Sequence, residues 1–245
     1  EIGVTASVAQ PVGSGNNSFD KDLEYSKVPI FSGGINLHLN PRIALQGKLT
    51  NGFGLTPATA LLALPSDNSL GYSASFVYTP DAPDTPQPSF NSKQESLSLG
   101  GLTVNTALVP PDSISVTKVG ADAKGNFDAT YGVSISNIFH LDFYSSKNQN
   151  VRQNTPQART YAGDGAENLR GSGKAVLTSP LRGAPVWSAL RISLGRNMDT
   201  KNNTAEGYLF AETPLTWEAN SKIALNISPK VAWAGVGSLS GIGLS

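Results

Sequence analysis

Metal chemistry needs convergent His, Cys, Asp or Glu ligands, and this chain has two histidines, His38 and His140, and no cysteine. Asp142 is the one carboxylate close to either histidine, short of the three or four ligands that a site requires. No metal site is therefore expected, and the missing cysteines also exclude disulfides and thiolate nucleophiles. GDGAENLRGSGKA (163–175) has the look of a phosphate-binding loop. Asn168 stands where that motif needs its first glycine, and Ala175 where it needs Ser or Thr. No Gly-x-Ser-x-Gly elbow marks a serine nucleophile. The carboxylates Asp81, Asp84, Asp112, Asp122, Asp128, Asp142, Asp164, Glu167, Glu212 and Glu218 are dispersed, so no acid–base pair can be singled out. No catalytic residue and no cofactor are expected. Asn16, Asn202 and Asn226 begin Asn-x-Ser/Thr triplets, and Asn226 lies inside a strand pattern, so chance accounts for them.

The basic residues are more suggestive. His38, Arg42 and Lys48 share the polar side of one alternating stretch, Lys222 and Lys230 that of another, and Arg191 lies opposite Val186, Leu190, Ile192 and Leu194. With the apolar side against lipid, these six would line a lumen and bias it toward anions. In a soluble sheet they would form a wet outer face. Tyr78, Trp187, Tyr208, Trp217 and Trp233 lie near strand ends, where they could form an interfacial girdle or stack on a ligand.

These residues sit in period-two alternation. Odd positions from Ile35 to Leu49 and from Ile223 to Trp233 are mostly apolar and even ones mostly polar, which gives a strand two unlike faces. Comparable runs begin at Ile2, Leu70, Leu102, Phe127, Phe139, Val186 and Leu209. The reading is about twelve strands, hence an all-β fold. No run approaches 18 apolar residues, so a membrane helix is excluded, while a barrel strand needs only alternate apolar positions. Charged residues are 15% of the chain, against roughly 25% in an average soluble domain. Basic and acidic residues balance at 18 each, giving no long-range field for nucleic acid. Polar segments, some long (145–173) and some short (121–126), separate the strands; Pro57–Leu64 reads as a short helix between a Thr56 cap and Pro65. The first residues, EIGVTASV, carry no initiator Met or apolar leader, as expected of a mature chain after signal removal or of a piece of a longer one.

One pattern appears twice, LHLNPRIAL (37–45) and LNISPKVAW (225–233). The apolar register keeps its parity through both prolines. A regular two-residue hairpin loop would reverse it, so the choice is a three-residue turn or a strand running through proline. The two are balanced at 40–42, and passage is favoured at 228–230.

The stretches SLGYSASFVYTPDAPDTPQPSF, SLGGLTVNTALVPPDSISV, SNIFHLDFYSS, KAVLTSPLRGAPVWSALRISLGRN and the segment from GYLFAETPLTWEANSK to the end resemble a group of uncharacterised cyanobacterial proteins that look like porin-like outer-membrane β-barrels. The likeness runs from about Leu70 onward and brings no catalytic motif. The expectation is an antiparallel up-and-down β-barrel of about twelve strands with long polar loops, one domain over 1–245, whole or part of a longer chain. Its partners would be outer-membrane lipid and small solutes or ions that permeate passively. The alternatives are a secreted or periplasmic β-sandwich or propeller module, structural or glycan-binding, and, third, a β-fold hydrolase.

Overall fold

The computed structural model describes residues 2–13, 18–19, 25–51, 70–81, 105–110, 112–123, 126–148, 166–199, 204–220, 222–234 and 237–245. The strands are β1 (Ile2–Val12), β2 (Ser18–Phe19), β3 (Tyr25–Ser26), β4 (Ile30–Asn40), β5 (Ile43–Thr50), β6 (Gly71–Tyr78), β7 (Ser115–Asp122) and β8 (Asn126–Ile135). They continue with β9 (Phe139–Asn148), β10 (Ala166–Thr178), β11 (Trp187–Asp199), β12 (Thr204–Glu212), β13 (Leu215–Glu218), β14 (Ala224–Ala234) and β15 (Gly237–Leu244). β2 and β3 pair only with each other.

All other strands form one wall. From β4 onward each pairs antiparallel with the next, except that β12 and β13 each pair with β11 and β14, and β1, beside β4, closes the ring on β15 through Val8↔Leu244 to Val12↔Ser240. β12 and β13 keep one register against both β11 and β14 and fill a single place in the wall. The result is a closed antiparallel β-barrel of twelve strands, which removes the sandwich and propeller alternatives. The Pro57–Leu64 helix and the strand begun at Leu102 fall outside the described residues.

The wall is apolar outside and polar inside. Val4 is 78% exposed and Leu49 59%, with Ile35, Phe76, Tyr131, Phe143, Leu194 and Ile242 also outward; Arg191 is 3% and Glu212 1% exposed. A water-soluble barrel has the opposite arrangement, because burying an unpaired charge costs far more than burying a methyl group gains.

The two proline repeats have different outcomes. At the first, Pro41 and Arg42 form a two-residue turn, but not the regular one that parity excludes. Parity survives because the register shifts between His38↔Ala44 and Asn40↔Ile43, leaving Leu39 as an extra, bulged residue. Asn40 Oδ1 accepts from the N–H groups of Arg42 and Ile43 at 2.8 and 2.9 Å, an Asx turn that satisfies two amides at once. At the second, β14 runs through Pro229, as expected. Its carbonyl accepts from Thr213 N–H at 3.0 Å, and the N–H it lacks would point at the break between β12 and β13. Pro214 stands in that break and accepts from Ala189 N–H on the other side. Each proline thus spoils a rung where the ladder is already interrupted.

Candidate functional site

The interior side chains of β8 to β14 lie in registered rows. One row reads Ser134, His140, Lys174, Arg191, Glu212, Lys230 on successive strands. The next reads Asp142, Ser172, Ser193, Phe210, and the one beyond it Tyr144, Arg170, Gly195, Tyr208.

Arg191 organises the first two rows. Its Nη2 donates to both Asp142 carboxylate oxygens at 3.1 and 3.0 Å and to Ser172 Oγ at 3.3 Å, while Nη1 donates to Glu212 Oε1 at 3.3 Å. Glu212 Oε2 accepts from Ser228 Oγ at 3.1 Å and lies 3.5 Å from Lys230 Nζ. Ser193 Oγ donates to Ser172 Oγ at 2.9 Å. Two carboxylates buried with two cations and neighbouring hydroxyls avoid most of the cost of an isolated buried charge. In the third row, Arg170 lies over the Tyr144 ring, 4.7 Å from its centroid. Tyr208 folds across Gly195, where a Cβ would meet the tyrosine ring and hydroxyl.

A non-strand segment, residues 105–110 of the β6–β7 connection, crosses into this interior. Asn105 Nδ2 donates to Glu212 Oε1 at 2.6 Å, Ala107 N–H to Thr216 Oγ1 at 2.8 Å, and Lys174 Nζ to the Thr106 carbonyl at 3.0 Å. Thr216 Oγ1 donates onward to Asn226 Oδ1 at 2.6 Å. Ala107 has no exposed surface, and Thr106 and Leu108 are buried.

Of the six basic candidates, Arg191 and Lys230 are buried inside, and His38 and Lys48 are half-buried on the inward face. Arg42 and Lys222 are exposed in turns. Asn220 Oδ1 accepts from Lys222 and Ile223 N–H at 2.8 and 2.9 Å, the geometry found at Asn40, so both basic residues occupy the same place in equivalent turns rather than lining the interior.

The aromatic candidates also divide. Tyr78 and Trp217 are exposed near one end and Trp233 near the other. Tyr208 is buried and inward, and Trp187, also of inward parity, donates its indole N–H to Glu218 at 2.9 Å. Neither belongs to an outer belt, because each shares its face with buried polar neighbours, Glu212 and Arg191. In the sequence Asp142 stands out only as the neighbour of His140 and Glu212 only as one of the dispersed carboxylates, and the 105–110 segment carries no motif. Both carboxylates stand on the polar side of alternating runs, but only strand register brings them to Arg191. Among the described residues no group of three potential metal ligands forms.

No family model and no curated protein matches the sequence. Among solved structures, the chain is similar to a KdgM porin, at 7% identity and a TM-score of 0.48 over 98% of this chain and 96% of that one. It is similar also to OccAB4 of Acinetobacter baumannii, at 8% identity and 0.40, and to OccK7 (OpdD) of Pseudomonas aeruginosa, at 8% and 0.40. The chain covers 54% and 57% of these last two proteins.

Proposed function

We propose that the chain is an outer-membrane β-barrel through which small solutes or ions pass passively. The inversion of the wall, apolar outward and charged inward, carries this reading. A continuous apolar belt around a barrel far exceeds the few hundred Å² of contiguous apolar patch on a typical soluble monomer. The height fits as well. The 11-residue strand β4 spans about 36 Å at roughly 3.3 Å per residue, and a tilt of roughly 40° reduces this to about 28 Å, near the roughly 25 Å apolar band of such barrels. Exposed Trp217, Tyr78 and Trp233 toward the two ends suit its interfaces.

The charged row adds three basic residues, Lys174, Arg191 and Lys230, to one acid, Glu212, with Asp142 beside it. This supports a weak preference for anions. The resemblance to cyanobacterial barrels belongs to the same proposal, as does outer-membrane rather than periplasmic or extracellular placement. No reaction and no cofactor enter it.

Reconstitution into planar bilayers tests the reading. The expected result is discrete conductance from a protein that needs detergent for purification, with a reversal potential displaced toward chloride in a salt gradient. A chain that purifies monodisperse without detergent would overturn it.

A further inference from the structure

We infer that residues 105–110 are a displaceable stopper rather than a fixed part of the wall, and that it enters the barrel from the end that carries the turn 41–42; this rests on the permeation reading above. Strand order defines the ends. The turns 41–42, 136–138 and 219–223 lie at one end, together with the connection that leaves β6 at Tyr78 and returns at Ser115. The connections 13–29, 51–70 and 149–165 lie at the other, together with the brief 123–125, 200–203 and 235–236.

The wall does not depend on this segment. β6 and β7 pair directly from Ser73↔Asp122 to Tyr78↔Thr117, and Ser113 and Ile114 rejoin the wall by exchanging bonds with Ser134. When Asn105 withdraws, Glu212 keeps Arg191, Ser228 and Lys230. When Ala107 withdraws, the Thr216 hydroxyl keeps Asn226. Among the described residues the segment gains none of the ladder that fixes its neighbours, and it bonds to the wall at β10, β12 and β13, on one side of the interior. All three are polar contacts that water replaces without leaving a buried group unmatched. A permanent constriction built into the wall would share backbone rungs or stranded charges with it.

Thiol labelling tests movement directly, since the chain has no cysteine of its own. Ala107→Cys and, in case that variant does not fold, Leu108→Cys are reconstituted and exposed to a membrane-impermeant maleimide. Displacement gives labelling slower than at exposed Leu181→Cys and accelerated several-fold by Asn105→Ala. In planar bilayers, Ala107→Cys/Thr216→Cys should conduct several-fold less oxidised than reduced. Absence of labelling in both backgrounds, with equal currents in the oxidised and reduced states, would overturn the stopper and leave permeation standing. Labelling in a barrel that never conducts would uphold displacement and overturn permeation instead.

Discussion

Asn105 and Glu212, more than a hundred positions apart in the chain, meet inside the barrel, where the amide donates to the carboxylate at 2.6 Å. Arg191, Lys230 and Ser228 hold the same carboxylate from the wall. The two ends of this bond therefore carry unequal weight. Asn105→Ala should cost about 1.5–3 kcal/mol, the scale of one hydrogen bond to a charge. Glu212→Ala should cost about 3–5 kcal/mol, because it removes a buried carboxylate that two buried cations, Arg191 and Lys230, both face. Urea unfolding in detergent micelles separates them, and equal losses would contradict the division between stopper and wall.

Arg191→Met should destabilise by a similar amount, about 3–5 kcal/mol, since it leaves Asp142 without its bidentate partner. Adding Asp142→Leu should restore part of that loss, because an apolar pair replaces a broken ionic one. The single substitution should also move the reversal potential toward potassium, which a salt-gradient measurement reads directly.

Lipid exposure makes a graded prediction. Ile35→Lys, near the middle of β4, should cost about 2–4 kcal/mol, whereas Leu39→Lys at the turn should cost roughly 0–1. Folding titrations into vesicles would show the difference, and a flat response along β4 would argue against a bilayer around it.

Gly195 has room for nothing larger. A Cβ there would meet Tyr208 and come within 2.8 Å of the Leu169 carbonyl, so Gly195→Ala should cost about 1–3 kcal/mol. Tyr208→Ala in the same chain should recover only part of this, as the carbonyl stays in place. Thermal unfolding of the single and double variants provides the comparison.

Asn40→Ala and Asn220→Ala should each cost about 1 kcal/mol, because each asparagine oxygen serves two amides of its turn. Similar losses from both variants on unfolding would confirm that the turns are equivalent.

Alternation revealed the strands in the sequence because its period of two is a local property. Strand register is not local, and the interior network depends on it: nothing in the sequence says that Arg191 stands between Asp142 and Glu212 rather than one rung away. The repeated nonapeptides show the same limit. LHLNPRIAL and LNISPKVAW align by their prolines, yet one proline makes a turn and the other lies in a strand. The structural match is NPRIAL (40–45) with NSKIAL (220–225), where asparagine, not proline, makes the turn. Parity sets Arg42 and Lys222 on a polar side, but both stand in turns, where polar no longer means inward. The inward segment carried no periodic signal, since its bonds go to residues distant in sequence.

The pairing of β1 with β15 joins the first and last strands of the ring, and in kinetic terms it is unlike every other seam. Each remaining pair links strands adjacent in the meander, so the loop-closure entropy of nearly the whole chain falls on Val8↔Leu244 to Val12↔Ser240. The wall-held ion network, spread over β9 to β14, bears none of that cost. It can assemble in an open sheet, which leaves the β1–β15 seam as the step that slows assembly.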